Sequence, residues 1–287
     1  MSAIIAFLEP YEFSPTVLGA CLIAAVVYGR GLIRMRRAGE PAGFWRSTAF
    51  FLGLGLMYLV MQSRIDYISQ HMFWVHRAQH LVLHHLGPFL VVLAAPQAIM
   101  ARGLPRSWID RLLSPVWQSG PTQWAYRFVQ YPVIAATLFV GLIYFWLTPS
   151  IHFDAMLSLQ RYQIMNWSMA IDGLLFWWLI VNPKPRGHGG LGHGSRIIML
   201  WAITIPQIIL GAHIALSKSV LYDVYNVCGR AWPISPIVDQ ELGGLITWIP
   251  TSMMSAVAAM VVLRLWVRDN SRQNSESQAA LTNASTN

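Results

Sequence analysis

Charged residues are scarce: Asp, Glu, Lys and Arg make up 11% of the 287 residues, where a soluble domain carries about 25%. That scarcity excludes an ordinary water-soluble globular protein. Cysteine is nearly absent too. Cys21 and Cys228 form no CxxC, which excludes zinc-ribbon and thioredoxin-type chemistry. Three readings stay open for them: Cys228 as a copper thiolate, a pair with Cys21 in an oxidising compartment, or plain thiols. There is no nucleotide loop of the GxxxxGK type and no nucleophile–base pair, so no enzyme is predicted. Alternation of period two does not recur in short segments, which argues against a β-barrel. Met1 to Pro15 has no basic residue and carries Glu9 and Glu12. A cleaved signal peptide starts with positive charge, so the first apolar run is expected to be a retained helix.

What is present in quantity is apolar: 55% of the chain is hydrophobic, with 13 Trp and 13 Met. Seven runs, roughly 14–33, 44–62, 76–100, 131–148, 164–182, 197–217 and 246–266, approach the ~20 residues needed to cross about 30 Å of hydrocarbon. The fold class expected is an all-α integral membrane protein, a seven-transmembrane-helix bundle. Residues 1–268 form its one membrane domain, and the polar segment 269–287 is expected to be a disordered cytoplasmic tail. The net charge of +8 sits in short clusters between the runs, a pattern of membrane topology and not of nucleic-acid binding. Arg30, Arg34, Arg36, Arg37 and Arg46 follow run one, Arg102, Arg106, Arg111 and Arg127 follow run three, and Lys184, Arg186 and Arg196 follow run five. With Arg264, Arg268 and Arg272 these are 15 of the 20 basic residues, all on one side. The positive-inside rule makes that side cytoplasmic, with the N-terminus outside and the C-terminus inside.

The third run carries the chemistry. In HMFWVHRAQHLVLHHLGPFLVVLAAP, from His71 to Pro96, His76, His80 and His84 recur every fourth residue. At about 100° and 1.5 Å per residue, they line one helical stripe roughly 12 Å long. Ionisable residues within lipid face a bundle interior or a water-filled cavity. His85 points to another face and reads as a packing or hydrogen-bonding residue. In this orientation His76, His80, His84, His71, His152 and His213 all gather on the outer side. His213, on run six, is a candidate to close the site from a second helix, and His152 is expected to be solvated. His188 and His193 fall in the Gly-rich segment GHGGLGHGS and read as loop residues.

Met57, Met61, Met72, Met165, Met169, Met253 and Met254 lie along the same half or near it, and thioethers with imidazoles suit copper, Cu(I) in particular. Any one of these methionines reads first as core filler. Asp172, well inside run five, is expected to be protonated, hydrogen-bonded or paired, either as a proton or partner site or as a polar clamp between helices. The segment LYDVYNVCGRAWPISPIVDQELGGLITWIP reads as an ordered cap over the bundle, and Gly243-Gly244 as a place for close backbone approach.

Three segments, FWVHRAQHLVLHHLGPFLVVLAAP, DGLLFWWLIVNPKP and DQELGGLITWIPTSMM, resemble the multispanning CtaG family of cytochrome c oxidase assembly factors, over about Phe44 to Leu265. The resemblance implies a role in copper insertion into haem-copper oxidases at the bacterial inner (plasma) membrane. Its implied partners are an oxidase subunit during assembly, a periplasmic copper donor and the lipid bilayer, with no nucleic acid. His76 and His80 match the family's paired histidines of the third helix. Many members carry a second histidine pair leading into the GLLFWW helix, where this chain has Tyr162 and Asn166. The metal set expected here is therefore His76, His80, His84 and His213, binding copper as Cu(I). The alternative is a haem-binding membrane electron carrier, with His80 or His84 facing His213 as axial ligands.

Overall fold

The computed structural model describes residues 13–181 and 191–285, and side chains as far as Gln278. Among the described residues it is helical throughout, with no strand. Five helices are long and apolar enough to cross a membrane: α1 (Pro15–Arg37), α2 (Phe44–Gln62), α10 (Leu159–Val181), α11 (His193–Leu216) and the described start of α13 (Pro236–Ser285). Two bent pairs meet the same test together. One is α4 (Phe73–Leu93) with α5 (Gln97–Gly103), bent by 75°; the other is α7 (Gly120–Val129) with α8 (Pro132–Leu147), bent by 68°. The described residues also hold shorter helical pieces: α3 (Arg64–His71), α6 (106–118), α9 (Pro149–Met156) and α12 (Val224–Val227). The result is a multi-spanning α-helical membrane protein.

Proline and short polar residues set many of the boundaries. Ser14 caps α1 ahead of Pro15, and Ser63 separates α2 from α3, its Oγ accepting from Ile65 N at 3.2 Å. Pro149 opens α9 where α8 has ended, as expected of a residue with no N–H to offer a preceding turn. The run expected as one span over 76–100 starts earlier and stops at Leu93. Ala95 takes a left-handed φ of 47° beside Pro96, and the chain leaves at an angle as α5. By contrast Pro206 and Pro250 lie inside continuous helices. Beyond Asp269, where the polar sequence leads one to expect disorder, α13 continues to Ser285.

α4 runs through the middle. α2, α10 and α13 all pack against it, and α11 pairs with α13. Gly244 is what lets that last pair close: a Cβ there would lie 2.5 Å from Ala215 N. Two cores form. Phe139, Phe176, Trp177, Ile180 and Leu200 fill one half of the bundle. Phe73, Met165, Met169, Tyr222 and Tyr225 fill the half nearer α3 and α9. There the segment between α11 and α13 folds inward as a cap: Tyr222 OH donates to Leu147 O at 2.9 Å, and the Tyr222 ring stacks on Phe73 at 4.2 Å.

The start of α4 is pinned by one buried carboxylate on α13. Asp239 Oδ2 accepts from Phe73 N at 3.0 Å and Oδ1 from Trp74 N at 2.9 Å, while Arg230 Nη1 pairs with the same group. Removing one member of such a buried pair strands the other. Asp239→Ala is expected to cost on the order of 3 kcal/mol and to lower the thermal unfolding midpoint in detergent. Asp239→Asn, which keeps an acceptor, should lose less.

A buried histidine row on helix α4

Five buried imidazoles lie along α4: His76, His80, His84 and His85 from the helix itself and His152 from α9. The stripe expected from the spacing is formed, with His76, His80 and His84 all facing α10, although the helix does not keep its pitch. Leu81–Leu86 is wound as a π-helix. A cause is visible in the sequence: Pro88 has no N–H for the carbonyl four residues back, which belongs to His84. That carbonyl is met from α10 instead, by Trp177 Nε1 at 3.1 Å. Gly173 makes the approach possible, since a Cβ there would fall 2.5 Å from His84 O. π-bulges of this kind recur at functional sites. Here the bulge divides the row into two pairs, His76/His80 with ring centroids 4.3 Å apart and His84/His85 at 4.9 Å.

Partners on other helices fix the ring orientations. His80 Nε2 meets Asn166 Oδ1 at 3.1 Å, His84 Nε2 meets Asp172 Oδ2 at 3.0 Å, and His85 Nε2 meets Gln207 Oε1 at 3.2 Å. Gln207 Nε2 donates to Ile203 O at 3.0 Å, which identifies the other amide atom as the acceptor. In each pairing an oxygen accepts, so Nε2 carries the proton and the lone pair sits on Nδ1. These three Nδ1 atoms are buried without a hydrogen-bond partner, and so are both ring nitrogens of His76. A buried polar atom left unpaired costs roughly 1–3 kcal/mol. Ligand histidines commonly donate their second ring N–H to an oxygen in this way. The donor set thus fits a soft or borderline metal ion.

Other expected residues separate cleanly. His152 is buried and not solvated: Nδ1 lies 2.9 Å from Trp146 O and Nε2 lies 2.9 Å from Tyr225 OH, because the cap folds over it. Both its nitrogens are occupied, so it stands beside His76 (5.1 Å between centroids) as a strut. His213 is exposed: α11 turns Gly211 and Ile214 toward the bundle, and His213 away. The pairing of His80 or His84 with His213 that a haem would need is therefore not formed. His71 is at the surface, its Nδ1 donating to Gly229 O at 2.8 Å. His193 begins α11 and meets Asp269 Oδ2 at 3.0 Å, where a free loop is expected; His188 lies outside the described residues. Met165 and Met169 are buried in the core beside Phe73, and Met253 is exposed. Cys21 and Cys228 are both free. Among the described residues no group of three or more His, Cys, Asp and Glu converges as a metal cluster.

Arg77, which the sequence does not single out, is buried within α4 with Nε donating to Thr247 Oγ1 at 3.0 Å. Tyr162 and Asn166 face the first pair, Tyr162 at 6.1 Å from His76 between centroids and Asn166 through its bond to His80. Both also line a cavity of about 330 Å³ with Ser14, Met61, Asp66 and Trp167. The sequence clue was the resemblance itself, which puts histidines at these two positions in many relatives.

The comparison with known families decides the assignment. A family profile described as cytochrome c oxidase caa3 assembly factor (Caa3_CtaG) matches residues 26–269. The chain belongs to that family. It is a family of non-catalytic assembly factors, not of enzymes. Similar proteins include an uncharacterized protein of Mycobacterium leprae, 28% identical over 287 residues, covering 94% of this chain and 41% of that protein. Uncharacterized proteins of Mycobacterium bovis and Mycobacterium tuberculosis are each 28% identical over 280 residues, covering 92% of this chain and 40% of theirs. The chain thus spans about two fifths of the length of these curated relatives. No solved structure matches.

Two measurements test the architecture of the row. Gly173→Ala should destabilise the protein by roughly 1–3 kcal/mol, since backbone must move to admit the methyl, and should disturb the Trp177 contact, read as a change in tryptophan fluorescence. His152 titrates outside the spans, and burial pushes its pKa from 6.5 down to about 4. The unfolded chain therefore binds the proton first, so stability present above about pH 6.5 is lost as pH falls toward 4. His152→Gln should flatten that acid-side loss in thermal unfolding followed against pH.

Proposed function

We propose that this protein supports copper insertion into a haem-copper oxidase, holding Cu(I) at His76 and His80. The observation that carries the reading is the pair itself: two buried imidazoles 4.3 Å apart between centroids, with three ring nitrogens lacking any partner. A cavity on one flank is lined by Asn166, the partner of His80, and by Tyr162. Arg77 follows His76 directly, and its fixed positive charge opposes a dication more than a monocation, which favours Cu(I) over Cu(II). Imidazole ligation suits copper, and a low coordination number suits its reduced form.

The topology goes with this reading. We take each bent pair as one span, giving seven, with the N-terminus outside and the C-terminus cytoplasmic in a bacterial inner membrane. The His76/His80 pair then lies in the outer half. An oxidase subunit under assembly is the recipient, and a periplasmic copper carrier the donor.

Detergent-purified protein exposed to Cu(I) and then desalted should retain copper by elemental analysis. A His76→Ala/His80→Ala variant should retain one equivalent less, and cells carrying it should yield oxidase depleted in copper. A folded wild-type protein that retains no copper would overturn the reading in favour of a scaffold that assists assembly without carrying metal.

A further inference from the structure

The lower pair, His84 and His85, is built as fully as the upper one. On this central helix His84 faces α10 and His85 faces α11, and both are buried. Each donates Nε2–H to a side-chain oxygen of its own, Asp172 Oδ2 or Gln207 Oε1, and each leaves Nδ1 buried and without a partner. A purely structural clamp would need the Nε2 bonds alone. Phe139 packs against both rings, stacking on His84 at 4.0 Å and meeting His85 edge-on at 5.0 Å. A carboxylate and an amide oxygen behind two imidazoles is instead the outer shell that histidine ligands of metals use to hold their tautomer and raise their basicity.

We infer that His84 and His85 form a second Cu(I) site, a two-coordinate Nδ1–Cu–Nδ1 station lying about 10 Å further along α4 from the His76/His80 pair at 1.5 Å per residue. Cu(I) accepts two nitrogen lone pairs without a change of oxidation state, so binding consumes no other reactant. Asp172 is a positioning residue here: it orients His84 and touches no metal. The inference rests on copper handling at the upper pair, and makes the protein a two-station carrier in which the ion steps along one helix.

The test is anaerobic titration with Cu(I) of the full-length protein in detergent. Four forms are compared: wild type, His76→Ala/His80→Ala, His84→Gln/His85→Gln, and the four-fold variant. Copper is counted by elemental analysis and its coordination read by X-ray absorption. Two equivalents in the wild type, one in each double variant and none in the four-fold variant is the result expected, with two nitrogen ligands at the site left in His76→Ala/His80→Ala. One equivalent in the wild type, lost with His76 and His80 and untouched by His84→Gln/His85→Gln, would overturn the second site and leave the upper one standing. No copper in a folded wild type would overturn both. Should His84→Gln/His85→Gln fail to fold, Asp172→Ala serves in its place: Cu(I) affinity of the lower station should fall 10- to 100-fold, with the upper station unchanged. Equal affinity in Asp172→Ala and wild type would overturn the assignment.

Discussion

Hydrocarbon offers a polar side chain no water, so such a group on α4 is satisfied only where an atom from elsewhere in the chain meets it. The structure is arranged around that requirement. From its first turn inward, α4 is bonded by Asp239 and Thr247 of α13, by Asp66 ahead of it, by Asn166 and Asp172 of α10, and by Gln207 of α11. Helix association in lipid has little hydrophobic drive, and apolar contact alone sets register weakly. The polar contacts are directional, and each fixes the height and rotation of one neighbour relative to α4. The glycines then allow the backbones to come as close as those bonds demand.

The outcome is a division of labour among histidines that look alike in one dimension. His152 has spent both nitrogens on protein atoms and is inert toward a ligand. His80, His84 and His85 have each spent one. His76 has spent neither. The nitrogens left uncommitted are therefore graded by what the surrounding helices have already taken, and the least committed ring lies beside His152, which itself contacts Tyr222 and Tyr225.

Much of this is legible in the chain. The apolar runs mark the long helices because length and polarity are local properties, and the histidine run stands out because three polar residues at one spacing in lipid need a reason. The ordered cap follows from its aromatic content. What is not legible is long-range. Nothing near His152 says that Tyr225 will cover it, and nothing near His213 says that Gly211 and Ile214 will claim the inner face of α11. The stripe of His76, His80 and His84 is legible, since all three face α10. The widened turn at Leu81–Leu86 is not, because a count by fours assumes constant pitch. The bend at Ala95 is hidden for a similar reason, since the apolar run passes through it without interruption.

Pro88 works by an omission. Its nitrogen brings no hydrogen to the ladder of α4, and the His84 carbonyl left open is taken by Trp177 of α10. A bond surrendered within one helix is thus re-made between two, and the helix that gave it up gains an anchor to its neighbour. A sequence survey that scores only the imidazoles would overlook a residue on which their backbone depends.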